Sequence, residues 1–275
     1  MLFAGALGCL ALWATGVGLL WIAQPYLVFM TDLSRSDTVP FDSKVFHQRS
    51  FVNDDGLTLT AVVLTHEPRD DRYWIMFCSP AGSSTRVIWT QEQLKALWTL
   101  GYNVFAFDYR GFGDNAGEPT EEGIYADAIA AHAYLVERER VRASRIILAG
   151  RSLGSAVAVE MAMKLPSAGL LLFSPIDSLP SAASRVYPWA PARWLSRYRF
   201  DSAAKAKSID VPVVMFHGWP DTYMHRSDAR AMLASFRGPK MLIETGGGHH
   251  FAGFEDLGGL YRALHKTWPV DVDAL

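Results

Sequence analysis

Between Tyr73 and Ile243 the chain alternates two kinds of segment. Short apolar runs fall at Tyr73–Cys78, Asn103–Phe107, Arg145–Ala149, Leu170–Phe173, Val211–Phe216 and Met241–Ile243. Stretches of helical pattern lie between and after them, near residues 87–100, 120–138, 153–165, 225–236 and 254–266. Strands that are apolar throughout must be covered on both faces, so the alternation predicts an α/β fold, a mainly parallel sheet with helices on both sides. Ahead of it, segments 44–52 and 57–64 are rich in β-formers around Asn53-Asp54-Asp55-Gly56, a turn signal, and predict an antiparallel hairpin. In such a sheet ligands bind beyond the C-terminal ends of the strands, so chemistry is expected in the loops that follow the apolar runs.

The 275 residues, half of them apolar, suffice for one sizeable core and are too few for two ordinary domains with linkers. One globular domain over residues 44–275 is expected. A formal net charge of −2 and the lack of a long basic run argue against a nucleic-acid partner. Cys9 lies in an apolar N-terminus and Cys78 at the end of a buried run, so no disulfide is expected.

Residues 1–30 carry no charged side chain, and only Thr15 and Gln24 are clearly polar. At about 1.5 Å per residue this stretch can cross a hydrocarbon core of roughly 30 Å. It lacks the basic start and small-residue cleavage site of a secretory leader, and a buried core helix normally keeps a polar face. An N-terminal transmembrane helix, a single-pass membrane anchor, is therefore expected, with a cleaved leader as the alternative. Residues 31–43 are polar, contain Pro40, and suit a linker leaving the membrane surface. A chain beginning near Asp32 is accordingly expected to be soluble and active.

The third apolar run leads into Gly150-Arg151-Ser152-Leu153-Gly154 and then a helix-prone stretch. Strand, glycine-flanked serine and helix make the context of a nucleophile elbow, in which the Ser152 hydroxyl stands exposed above the sheet. A serine hydroxyl is a weak nucleophile, so it needs a general base, and the base needs an orienting carboxylate. In elbow folds these follow in the order acid, then histidine. Asp221 lies in the loop after Val211–Phe216, and Gly246-Gly247-Gly248-His249-His250 lies in the loop after the last run. Asp221 and His249 are the preferred acid and base; Asp177 and His250 are the alternatives. His217 suits a structural role at its strand end, and His225 a surface position.

With these residues the chain resembles the α/β-hydrolase superfamily, and within it the membrane-anchored serine hydrolases of the acylaminoacyl-peptidase-like and thioesterase-like branches. The resemblance runs from about Phe51 to Leu264 and is most specific at Phe107-Asp108-Tyr109-Arg110-Gly111-Phe112-Gly113, followed by Gly117–Gly123 and Asp127. It implies the α/β-hydrolase fold and acyl transfer through an acyl-enzyme, without metal or organic cofactor. One departure stands out: the family usually has His-Gly after the strand ending here at Cys78, where this chain has Ser79-Pro80. Proline has no N–H. In the register where Ser79-Pro80 replaces His-Gly, the oxyanion hole is made of the Ala81 and Leu153 amides; shifted by one, it lacks a donor.

Between Phe173 and Val211, about residues 176–208, lies an insertion rich in proline and aromatic residues, expected as a small cap over the strand ends. An apolar roof beside a membrane helix favours a small-molecule or lipid-like acyl substrate. Its stretch Ser178–Phe200 holds Arg185, Arg193, Arg197 and Arg199 and no Asp, Glu or Lys, a pattern that suits either solvated surface or anionic headgroups. The expected function is a serine hydrolase cleaving an ester, thioester or related acyl bond. The alternatives are a serine peptidase of the same mechanism and a catalytically silent membrane-tethered binding module.

Overall fold

The computed structural model describes residues 2–67 and 72–270. Eight strands form one sheet: β1 His47–Val52, β2 Thr58–Leu64, β3 Trp74–Cys78, β4 Asn103–Phe107, β5 Ile146–Arg151, β6 Gly169–Phe173, β7 Val213–Gly218 and β8 Lys240–Thr245. They lie side by side in the order β1-β2-β4-β3-β5-β6-β7-β8. The β1–β2 hairpin and the β2–β4 pair are antiparallel, and β4 to β8 are parallel. After β3 the chain crosses to β4 on one side and returns to β5 on the other. The crevice at a reversal of this kind, beyond the C-terminal ends of β3 and β5, is where such sheets hold ligands.

Helices α1 Leu2–Phe29, α2 Ile88–Thr99, α3 Glu121–Glu137, α4 Leu153–Lys164, α5 Leu179–Val186, α6 Ala192–Leu195, α7 Ser202–Ala206, α8 Arg226–Ser235 and α9 Leu257–Thr267 complete the structure. Successive strand residues point to opposite faces, and the core divides accordingly. Trp74, Met76 and Cys78 pack with α3, α4 and α8, whereas Ile75 and Phe77 pack with α2 and α9. Both β3 and β5 are buried along their whole length, which is why neither shows a polar alternation. Helices α5 to α7 fill the segment between β6 and β7 where the cap is expected, and α7 packs against α4.

The N-terminal helix is the one helix among the described residues long and apolar enough to cross a membrane, a test that a leader or an apolar core helix also passes. Leu7, Leu10 and Leu12 near its start are exposed, yet its end enters the fold. Phe29 is fully buried, 5.0 Å from the Tyr198 ring and 6.3 Å from that of Phe200. The polar segment that follows lies against the domain rather than running free. Ser34 is buried; its hydroxyl accepts from Gly113 N at 2.9 Å and its carbonyl accepts from Ser84 Oγ at 2.7 Å. Arg35 Nε donates to Gly113 O, and Val39 N to Arg86 O.

Candidate active site

Ser152 sits between the last residue of β5 and the first of α4, with φ 49° and ψ −119°, a conformation L side chains rarely adopt. Both flanking glycines are required by close backbone approach. A Cβ on Gly150 would lie 2.1 Å from Gly154 O, and one on Gly154 would lie 2.1 Å from Cys78 O. The strained turn is held by Ser152 N donating to Phe173 O at 3.0 Å and Ser155 N to Ser152 O at 2.9 Å. It brings the start of α4 against the end of β3.

His249 Nε2 lies 2.9 Å from Ser152 Oγ, and His249 Nδ1 lies 2.7 Å from Asp221 Oδ2. The Asp221 side chain is fully buried, and its other oxygen accepts from Tyr223 N at 2.9 Å and Met224 N at 3.0 Å. Burial alone would raise its pKa; the bond to His249, the imidazole's charge and the two backbone N–H groups outweigh it and hold the carboxyl below its ordinary value. An ionised acceptor on the Nδ1 side fixes that nitrogen as donor and leaves Nε2 free to accept from Ser152.

The remaining candidates lie apart from this chain of bonds. The His250 ring is 5.4 Å from that of His249 and nearly perpendicular to it, and it faces Trp89. Burial first, then the charges of His249 and Arg151, lower the His250 pKa. Asp177 follows β6, outside the cavity that holds Ser152, and its neighbour Ile176 lines that cavity instead. His217 is buried in β7, and His225 caps α8 by accepting from Ser227 N.

Ala81 and Leu153 line the same cavity as Ser152 and His249. Leu153 N is at the first position of α4, where a helix N–H has no intrahelical partner. The loop carrying Ala81 is held from three sides. Gly82 N donates to Phe29 O at 3.0 Å, and Tyr109 Oη donates to Ser79 O at 3.2 Å. Asp108 accepts from Thr85 N at 2.7 Å and Thr85 Oγ1 at 2.8 Å. Burial pushes the Asp108 carboxyl up to about 6 despite these bonds. Arg110 forms a salt bridge with the buried Asp127 at 2.7 Å, fixing the loop after β4.

Sequence reasoning assigned no role to Arg151 or to α1 at this site. Arg151 is 1% exposed, and its guanidinium carbon is 5.2 Å from the Phe254 ring centre. With the Gln93 amide turned to meet its donors, its oxygen accepts from both Arg151 terminal nitrogens at 2.8 and 3.0 Å. Burial brings the Arg151 pKa down to about 9. The cavity measures 480 Å³, and α1 forms part of its wall through Val17, Leu20, Gln24 and Val28. The one sequence signal for this was Gln24, which with Thr15 is one of two clearly polar residues in the helix. Among the described residues no group of three or more His, Cys, Asp or Glu side chains is placed to hold a metal. Of the four cap arginines, Arg185 is paired with Asp228, while Arg193, Arg197 and Arg199 are exposed.

Residues 75–202 match a family described as serine aminopeptidase, S33. The chain is 32% identical over 245 residues to an uncharacterised protein of Mycobacterium tuberculosis, covering 87% of this chain and 85% of that one. It is also 32% identical over 152 residues to alpha/beta hydrolase domain-containing protein 17B of Homo sapiens, a match spanning 55% of this chain and about half (51%) of that protein. Among solved structures, an alpha-beta hydrolase from Vibrio vulnificus superposes with a TM-score of 0.73 at 18% identity, covering 89% of this chain and 92% of that one. An esterase of Pyrococcus furiosus superposes with a TM-score of 0.71 at 18% identity, covering 85% and 95%. Sheet order, elbow and relatives agree, and the chain belongs to the α/β-hydrolase superfamily as a hydrolase of that fold.

Proposed function

We propose that this hydrolase is a serine esterase or thioesterase in which Ser152 is the nucleophile, His249 the general base and Asp221 the orienting acid. The observation that carries the reading is the unbroken run of contacts from Ser152 Oγ through His249 to Asp221, 2.9 and 2.7 Å long. Ser152 Oγ attacks the acyl carbonyl while its proton passes to His249 Nε2. Asp221 stabilises the imidazolium, and the Ala81 and Leu153 amides receive the charge on the carbonyl oxygen. His249 then protonates the departing alcohol or thiol. A water molecule, deprotonated by His249, attacks the acyl-enzyme and releases the acid and Ser152.

A serine peptidase reading is favoured by the aminopeptidase family description. Against it stands the chemistry of the cavity, whose described lining includes the cationic Arg151 and no Asp or Glu. A pocket of that kind offers nothing to the ammonium group of a free peptide amino terminus, and its mostly apolar wall suits a lipophilic acyl group. On this reading α1 is a membrane anchor that keeps the enzyme beside such substrates.

The test is labelling of the full chain by a fluorophosphonate probe, combined with turnover of short p-nitrophenyl esters and of amino-acid p-nitroanilides. Wild-type protein should label and cleave the esters in preference to the anilides, and Ser152→Ala should do neither. An unlabelled wild-type chain would favour the silent binding module, and faster anilide cleavage the peptidase.

A further inference from the structure

Val17, Leu20, Gln24 and Val28 recur at steps of three and four residues, so they share one face of α1, and that face looks into the cavity of Ser152 and His249. The helix is fastened to the cap by three hydrogen bonds. Trp13 Nε1 donates to Trp189 O at 2.9 Å, Gln24 Nε2 to Leu195 O at 2.9 Å, and Gln24 Oε1 accepts from Arg197 N at 2.7 Å. At its C-terminal end Phe29 O accepts from Gly82 N at 3.0 Å, next to Ala81 in the loop of the oxyanion hole. From Val28 back to Val17 the helix rises about 16 Å. The wall that begins at the reacting carbonyl therefore continues about that far along α1, with Leu179, Val186 and Leu195 of the cap also lining the cavity.

The depth of the bilayer follows from the same contacts. Helix α1 is 28 residues long, and Trp13 already bonds to the cap, which leaves the helical stretch Leu2–Leu12 ahead of that contact. That stretch rises about 16 Å, roughly half of the ~30 Å that a hydrocarbon core requires. If α1 spans, hydrocarbon must reach the level of the cap. The cap presents there Val186 at 45%, Trp189 at 50% and Trp194 at 88% exposure, together with the exposed Arg193, Arg197 and Arg199. Tryptophan and arginine are the side chains that settle at a membrane interface.

We infer that α1 is a wall of the substrate site as well as an anchor, and that the cavity between α1 and the cap opens into the bilayer. Its substrate is a membrane-resident long-chain acyl ester or thioester. The acyl chain lies along Val28, Gln24, Leu20 and Val17 while its carbonyl reaches Ser152, and hydrolysis consumes one water and yields the fatty acid and the alcohol or thiol. This inference rests on the esterase reading above.

The experiment uses the full chain in neutral phosphatidylcholine nanodiscs and a series of p-nitrophenyl esters from acetate to palmitate. Each methylene buried against the α1 wall should raise kcat/KM about fourfold until the trough is filled, after which the curve levels. Val17→Trp fills the distal end, so the curve should level at shorter chains and the ratio of palmitate to butyrate turnover should fall at least about tenfold. Ile22→Trp, on an exposed position outside the cavity lining, should leave the curve as it is. Because the readout is a ratio within each variant, partial loss of folded protein does not imitate it. A flat chain-length curve, or a Val17→Trp curve that coincides with wild type, overturns the inference and leaves the triad standing. Loss of labelling and of all ester turnover in wild type overturns the triad first and this inference with it.

Discussion

Asp221→Asn changes one oxygen to an amide nitrogen, so its effect isolates charge and proton position from volume. The orientation of the new side chain is dictated by its neighbours. Oδ1 accepts from Tyr223 N at 2.9 Å and Met224 N at 3.0 Å, and an NH₂ group there would face two donors. The asparagine carbonyl must therefore keep that position, and its NH₂ must point at His249 Nδ1, where the carboxylate oxygen now lies at 2.7 Å. A donor facing Nδ1 turns that nitrogen into an acceptor and moves the ring proton to Nε2. An N–H then points at Ser152 Oγ across 2.9 Å, and the imidazole cannot accept the serine proton. Inverting the tautomer of a triad histidine in this way costs about 10⁴-fold in kcat, or about 5 kcal/mol of transition-state stabilisation. The fold should persist, since both backbone bonds and the side-chain volume remain. The assay is kcat for p-nitrophenyl butyrate with a thermal melt of the same sample, and Asp177→Asn serves as the control expected to stay near wild type. A folded Asp221→Asn enzyme within tenfold of wild type would refute the argument.

Two further outcomes follow from the site. His249→Ala should remove ester turnover, whereas His250→Ala should lower it by less than about tenfold, because the bonds to Ser152 and Asp221 are both made by His249; the opposite pattern would assign the base to His250. Asp108, pushed up to about 6 by burial, is protonated more readily in the folded than in the unfolded chain, where the ordinary value is 3.8. Its contribution is complete below the unfolded value and is lost as pH rises through about 6, an upper bound of about 3 kcal/mol. In urea unfolding, the stability of Asp108→Asn relative to wild type should accordingly improve between pH 4 and pH 7. A difference that does not change with pH would show that burial does not control this group.

The sheet was legible because its central strands are buried on both sides. Asn103–Phe107 coincides with the apolar run that predicted it, and the run at Tyr73–Cys78 differs from β3 by one residue. The runs understate the structure where exposure or function intrudes. Strand β8 extends past Met241–Ile243 to Lys240 and Thr245 because it is an edge strand, half-exposed, and tolerates polar ends. Strand β5 continues through Gly150 and Arg151, one too small and the other too polar to count as apolar, because that end carries the elbow. Ser152 was visible for a steric reason, since no other residue than glycine fits at 150 and 154. The choice between His249 and His250 was not, because both follow the same glycines and only the path of the loop decides which ring meets Ser152. Asp108 belonged to a motif known by resemblance alone. Its work, holding Thr85 and with it the loop of Ala81, involves a residue 23 positions away and leaves no local pattern.

The N-terminal helix shows where composition reaches its limit. An apolar residue on the outside of a helix and one facing an apolar pocket read alike, so Leu12, 76% exposed, and Leu20, in the cavity wall, are indistinguishable by hydropathy. What separates them is a hydrogen-bonding side chain on the protein side. Gln24 satisfies both ends of its amide against the cap backbone, which offsets the cost of an amide in apolar surroundings. The next segment misleads in the opposite sense, because its polar residues resemble a solvated linker. Ser34 and Arg35 instead satisfy backbone groups of Gly113, as a buried loop requires. A chain cut at Asp32 would keep those bonds but lose Phe29, whose carbonyl accepts from Gly82 in the loop of Ala81. The expectation of a soluble, active fragment treats anchor and linker as separable from the site, whereas Phe29, Gln24 and Ser34 all bond to the rest of the fold.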